Sequence, residues 1–236
     1  MTQGLEAPSL SAGGQPDWAS LYRARGDEVN TSRPVFTGDV FENVTLSDGS
    51  TSAVIIVQHP CALRSNGVDL NATLLVAPVA PSAVIPIPGW SGSYKKMPLP
   101  ELDGSASFAA SFAELDVISN EALETAKRVA VLSQFGVNLL LQRWVHHNSR
   151  AIIPSSDYQI VTSAEYEEAD LTEEWCDERT ATGPGLGEVT AEAHEWFRTT
   201  AGEGLATWQS LLGDPQQRSA VRRAMRAEMR IRAQSL

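Results

Sequence analysis

Two cysteines in 236 residues, Cys61 and Cys176, are too few and too far apart to frame the chain with disulfides, so a reducing compartment is expected. No stretch approaches the roughly 20 apolar residues that a membrane span needs. Residues 1–16 have neither the basic residues nor the apolar run of a signal peptide. A cytoplasmic location and no membrane partner are the expectation. No internal repeat is present, and neither a CxxC nor an HxxxH pair occurs, so no metal or other cofactor is expected. The net charge of −11 excludes a surface that binds nucleic acid over its whole extent, because it repels phosphate, but leaves room for a local basic patch. What is present is ordinary globular material, 42% hydrophobic and 20% charged, long enough for one large or two small domains with real cores.

Residues 1–16, rich in Gly, Ser, Ala and Pro, read as a mobile leader. Asp17 suits the cap of a short helix ending near Tyr22, followed by a charged stretch over 23–28. From Pro34 the pattern turns to strands, with candidates at 35–41 and 43–46, a turn at Ser47-Asp48-Gly49-Ser50, and a buried strand over 52–58. A polar loop containing Asn66-Gly67 leads to its neighbour at 73–77. The six prolines of residues 78–100 predict a long irregular loop, with a short strand at Val84-Ile85, and 108–118 reads as one more strand.

After Asn120 the period becomes helical. Asn120 is read as the cap of a helix to Lys127, and Ser133 as the cap of a second that aligns Val137, Leu140, Leu141 and Trp144. An acidic helix opens at Ser163-Ala164-Glu165, and 182–187 is a break. Thr190 then caps the cleanest amphipathic stretch, Ala193 through Trp196, Phe197, Ala201, Leu205, Trp208 and Leu211 to Leu212, stopping at Gly213. Asp214-Pro215 starts a last helix.

Three segments in order carry a resemblance: Gly38-Asp39-Val40-Phe41, Ala53 to Gln58, and Ala72 to Val79. With Phe112 to Asp116 and Arg128 to Ser133 after them, the chain from 34 to 135 resembles the PemK/MazF family of toxin ribonucleases. The resemblance implies an SH3-like barrel of about five strands. The expected architecture is thus α+β: a small SH3-like barrel over 17–135, carrying the 78–100 loop, then a helical region over 136–236. The ribonuclease positions are not kept. Residues 43–52 hold no basic side chain, Ala80 stands where the family has Thr or Ser, and no arginine lies between Leu115 and Asn120. Cleaving a phosphodiester needs a group to move the 2′-hydroxyl proton and a cation to steady the phosphorus centre. If the fold holds, that chemistry is lost or moved.

Several clusters remain as candidates. His59 and Cys61, two apart on an extended chain and therefore on one face, form a nucleophilic pair with Arg64 as helper, or simply a packed strand end. Trp90, Tyr94, Lys95 and Lys96 combine aromatics and lysines as single-strand binders do, and a mobile protein-binding loop accounts for them equally well. His146-His147 need no function beyond the favourable end of a helix. The acids from Glu165 to Glu178 face solvent or a basic partner. The last helix sets Arg222, Arg223, Arg226 and Arg230 around a stripe of Val221, Met225 and Met229, which either pairs internally with the acidic helix or docks a partner. The leading reading is a non-catalytic protein-binding or adaptor module in a bacterial defence or toxin–antitoxin system. A divergent single-strand-specific endoribonuclease and a structural subunit of a phage or other assembly are the alternatives. Another protein is the expected partner, RNA a weaker one, and an oligomer is left open.

Overall fold

The computed structural model of the chain describes residues 4–181 and 183–233, so residues 1–3, Thr182 and residues 234–236 lie outside the described residues. The chain divides into two compact units, Met1–Val29 with Val35–Thr162, and Asn30–Pro34 with Ser163–Leu236. The architecture is α+β, an antiparallel sheet of eight strands followed by helices.

In the first unit Asp17 caps a 3₁₀ turn, Trp18–Leu21, accepting from Ser20 N at 3.3 Å. The expected charged stretch is instead strand β1, Tyr22–Arg25, which pairs with the last strand of the sheet. The two candidates at 35–41 and 43–46 become one strand, β2 (Val40–Thr45). Its register slips between Phe41 and Val44, where Asn43 takes φ 60°, and that irregularity is why one strand reads as two. The Asp48-Gly49 turn closes a hairpin to β3 (Thr51–Ile56), with Gly49 at φ 82°.

A one-turn helix, α1 (Pro60–Leu63), precedes β4 (Thr73–Pro81), which continues through Pro78. The 78–100 segment is therefore not one irregular loop. It starts as strand, carries the short helix α2 (Ile87–Trp90), and ends as strand β5 (Lys96–Leu99), while Val84-Ile85 is not a strand. Likewise 108–118 splits into β6 (Phe108–Ser111) and β7 (Asp116–Ser119). Asn120 lies inside a 3₁₀ turn capped by Ser119, and Lys127 opens β8 (Lys127–Leu132) rather than closing a helix.

The strands run β1-β8-β2-β3-β4-β6-β5, with β7 on β4. Among the described residues no pairing joins β1 to β5, so the expected barrel is not closed by hydrogen bonds. Both sheet faces are covered. Phe41, Val54, Ile56, Leu74, Val76 and Ile118 form a core on one face, while Val40, Ile55, Ala77 and Ala110 are buried on the other. Burial on both sides is the reason β3 is apolar without alternation.

Gly38 and Asp39 are structural. Gly38 has φ 86°, and a Cβ there would come within 3.0 Å of the Leu132 side chain. The Asp39 carboxylate accepts from Phe36 N at 3.0 Å and pairs with Arg128 at 3.0 Å. Helix α3 (Gln134–Ser149) is capped by Ser133, whose hydroxyl accepts from Gly136 N. At Gly136 a Cβ would meet the Leu21 carbonyl at 2.2 Å, so only glycine allows that approach. The expected leader is built in at its far end. Leu5 is buried, and the Glu6 carboxylate accepts from Ser155 N at 2.8 Å, the Ser155 hydroxyl at 2.6 Å and Gln142 Nε2 at 3.0 Å.

Helix α4 (Ser155–Thr180) starts eight residues before the expected acidic helix. In the second unit it is followed by α5 (Leu186–Arg198), α6 (Trp208–Leu211) and α7 (Arg218–Ala233). The stretch expected as one helix to Gly213 is thus two, and Thr190 lies inside α5, its hydroxyl donating to the Leu186 carbonyl. A turned-out loop separates them, closed by a bridge between Thr200 and Thr207 and carrying Gly204 at φ 70°. The apolar period persisted because Trp208 still stacks on Trp196 (5.3 Å, 9°). It reports shared burial, not helical continuity. Leu205, expected on the buried face, is exposed. Among the described residues no helix is long and apolar enough to cross a membrane.

Candidate functional site

His59 and Cys61 are brought together. His59 is the N-cap of α1, and its Nδ1 lies 3.0 Å from Cys61 Sγ and 3.4 Å from Cys61 N. Cys61 is exposed. Arg64 serves the local backbone: its Nε donates to the Val68 carbonyl at 3.1 Å and its Nη1 to that of Val35 at 3.0 Å. Arg64 thus braces the 57–72 segment.

The aromatic and lysine cluster is dispersed. Trp90 is fully buried, stacked on Trp18 at 5.7 Å, with its Nε1 donating to the Ile85 carbonyl and the Arg143 guanidinium 4.8 Å above its ring. It cannot offer a face to a base, which overturns its place in a binding surface. Arg143 is itself buried, and burial pulls its guanidinium down to about 10, against the raising effect of Glu6. Tyr94 is half-buried between the edge of His146 (5.5 Å) and the Arg150 guanidinium (4.6 Å). Lys95 and Lys96 are exposed, Lys96 on β5 at one end of the sheet. Among the described residues no group of three or more His, Cys, Asp or Glu is arranged to hold a metal.

The arginines of α7 divide in two. Arg222 pairs with Glu167 at 2.7 Å and Arg226 with Glu174, both acids on α4, so part of the row closes the second unit on itself. Arg223 and Arg230, two turns apart on one exposed side, have no ion pair among the described residues. The acids of α4 have a further task that the sequence did not signal. Arg33 is buried, ion-paired to Asp170 and to Glu173 (2.9 Å) beneath the Tyr166 ring, and Asn30 and Ser32 donate to Asp177. Five residues from the N-terminal half thereby become part of the helical unit.

A small cleft on the sheet was also not signalled. It measures about 190 Å³, with a floor of Val40, Ala53, Val79, Phe108 and Val129 and a rim that includes Glu42 and Lys127. Those two face each other across β2 and β8. Residues from this many segments leave no linear motif. The cleft is large enough for one apolar side chain.

No protein-family model matches the chain, and no curated protein sequence matches it.

Proposed function

We propose that the chain is a protein-binding module of a bacterial defence or toxin–antitoxin system. In this reading the sheet unit is an opened relative of the SH3-like barrel of PemK/MazF ribonucleases, without their chemistry, and the helical unit docks an acidic protein. The barrel reading is supported by the strand order and by β4, whose second edge is shared between β7 and β6 and must therefore bend. The docking reading is carried by one observation, the outward pair Arg223 and Arg230 beside the inward pair Arg222 and Arg226.

On a chain of net charge −11, cations gathered on one exposed helix side make a local field opposite to the rest of the surface. Such a field orients an acidic partner on this helix and repels it elsewhere. Guanidinium forks match carboxylates in two-point contacts, which lysines do not. RNA phosphate would meet the same helix, but the remaining surface opposes a long polyanion, and the aromatic that would stack its bases is buried.

The test is fluorescence anisotropy of the full chain with a labelled Glu/Asp-rich peptide and, separately, a single-stranded RNA. Peptide binding that disappears near ~0.5 M salt is expected, because screening shortens the field to a few ångströms. Cleavage of the RNA, with no peptide binding, would overturn this reading in favour of a divergent endoribonuclease.

A further inference from the structure

The exposed thiol of Cys61 has a ring nitrogen in contact with it, and the surrounding hydrogen bonds decide which way the proton between them lies. The Cys61 backbone N–H can only donate, and it points at His59 Nδ1. Nδ1 must therefore present a lone pair, which leaves the sulfur, 3.0 Å away, as the donor. The imidazole is thus set as proton acceptor for the thiol. In this tautomer the other nitrogen carries the ring proton.

The pair is also held still. Pro60, between the two residues, is buried at the first position of α1 and fixes the chain there. The preceding Gln58 side chain donates to the Ala62 carbonyl and accepts from Leu75 N at 3.1 Å, tying the segment to β4. Arg64 braces its far side. The second cysteine has the opposite surroundings. Cys176 is buried, its sulfur lies 3.4 Å from the Thr190 hydroxyl, and burial pushes its thiol up. A small electrophile in solution therefore meets Cys61 and not Cys176.

We propose that Cys61 is a covalent modification site, a nucleophilic thiol with His59 as its base, that reacts with low-molecular-weight disulfides. In the step, His59 Nδ1 takes the Sγ proton as the sulfur attacks one sulfur of the disulfide. A new S–S bond forms to Cys61, the old S–S bond breaks, and the departing thiolate takes the proton from the imidazolium. One thiol and one disulfide give one mixed disulfide and one thiol, with no further oxidant. A small thiol in excess reverses the step, so the mark follows the thiol–disulfide balance around the protein.

The test is intact-mass analysis of the full chain with excess oxidised glutathione near pH ~7, where an ordinary thiol is mostly protonated. One glutathione unit per chain is expected, lost on treatment with dithiothreitol, absent in Cys61→Ser and unchanged in Cys176→Ser. His59→Asn keeps an oxygen to cap α1 but removes the base, and should slow the reaction by about tenfold or more. His59→Asn reacting as fast as the parent chain, with an unchanged circular dichroism spectrum, overturns the proposal. So does a parent chain that gains no adduct. Should His59→Asn lose structure, the folded parent is compared with an unstructured peptide copying residues 57–64 but carrying Asn at 59. Equal rates for that peptide and the protein would contradict the assignment.

Discussion

The sheet unit and the helical unit use charge in opposite ways. In the sheet unit stability comes from two apolar faces, and the ion pair of Arg128 with Asp39, at 3.0 Å, fixes one turn. In the helical unit an aromatic core of Trp175, Trp196, Phe197 and Trp208 is wrapped by arginines. Arg33, Arg179, Arg222, Arg226 and Arg232 all reach acids of α4, α5 or α7. A sheet buries its ladder between layers and needs few charges. Long helices such as α4 and α7, whose apolar surface is narrow, cover less of one another and recruit ionic contacts at the margins. The lesson is that a row of arginines is first a structural resource, and only the members facing away from the acids are free for another role.

The sharpest way to break this comparison is Arg33→Ala. Its guanidinium is almost wholly buried between two carboxylates, so removal should cost about 3 kcal/mol. Hydrogen exchange should show the loss in residues 163–233 while β3 and β4 keep their protection. Equal loss in the sheet would contradict the separation. Next comes Gly136→Ala in the sheet unit, where the added methyl collides with the Leu21 carbonyl. A cost of about 1–3 kcal/mol is expected in urea unfolding, insensitive to salt.

Glu6→Gln should cost about 1 kcal/mol, discounted for its partial exposure. Burial pulls the Glu6 carboxyl up, but hydrogen bonds from Ser155 and Gln142 and the charge of Arg143 outweigh it and hold the group below its ordinary 4.5. A lowered folded value means the stabilisation is present above 4.5 and is lost as pH falls through the lower folded value. The variant should flatten that acid limb of a pH–stability curve. The smallest effect belongs to Arg226→Ala, whose side chain is more than half exposed. Its loss should be the smallest of the four and vanish in high salt.

Features set by local chemistry were legible in the chain. The Asp48-Gly49 hairpin, the Ser133 cap and the buried run of β3 follow from turn residues, a capping hydroxyl and apolar continuity. The pairing of acidic and arginine helices was legible as one of two alternatives. What escaped depends on distant partners. β1 is a short charged segment made a strand only by β8. Strand β4 runs on through Pro78, where proline ordinarily marks an edge or an end. Trp90 looked like a loop aromatic because Trp18 and Arg143, which enclose it, lie far off in sequence. The segment 30–34 gives no sign that it is bound by acids well over a hundred residues later.

The most direct measurement reverses the two pairs of arginines separately and reads stability and binding together. Arg223→Glu with Arg230→Glu should leave the melting temperature close to that of the parent chain and abolish binding of the acidic peptide. Arg222→Glu with Arg226→Glu sets like charges against Glu167 and Glu174, and should lower the melting temperature of the helical unit. If the outward reversal leaves peptide binding intact, the docking account is contradicted.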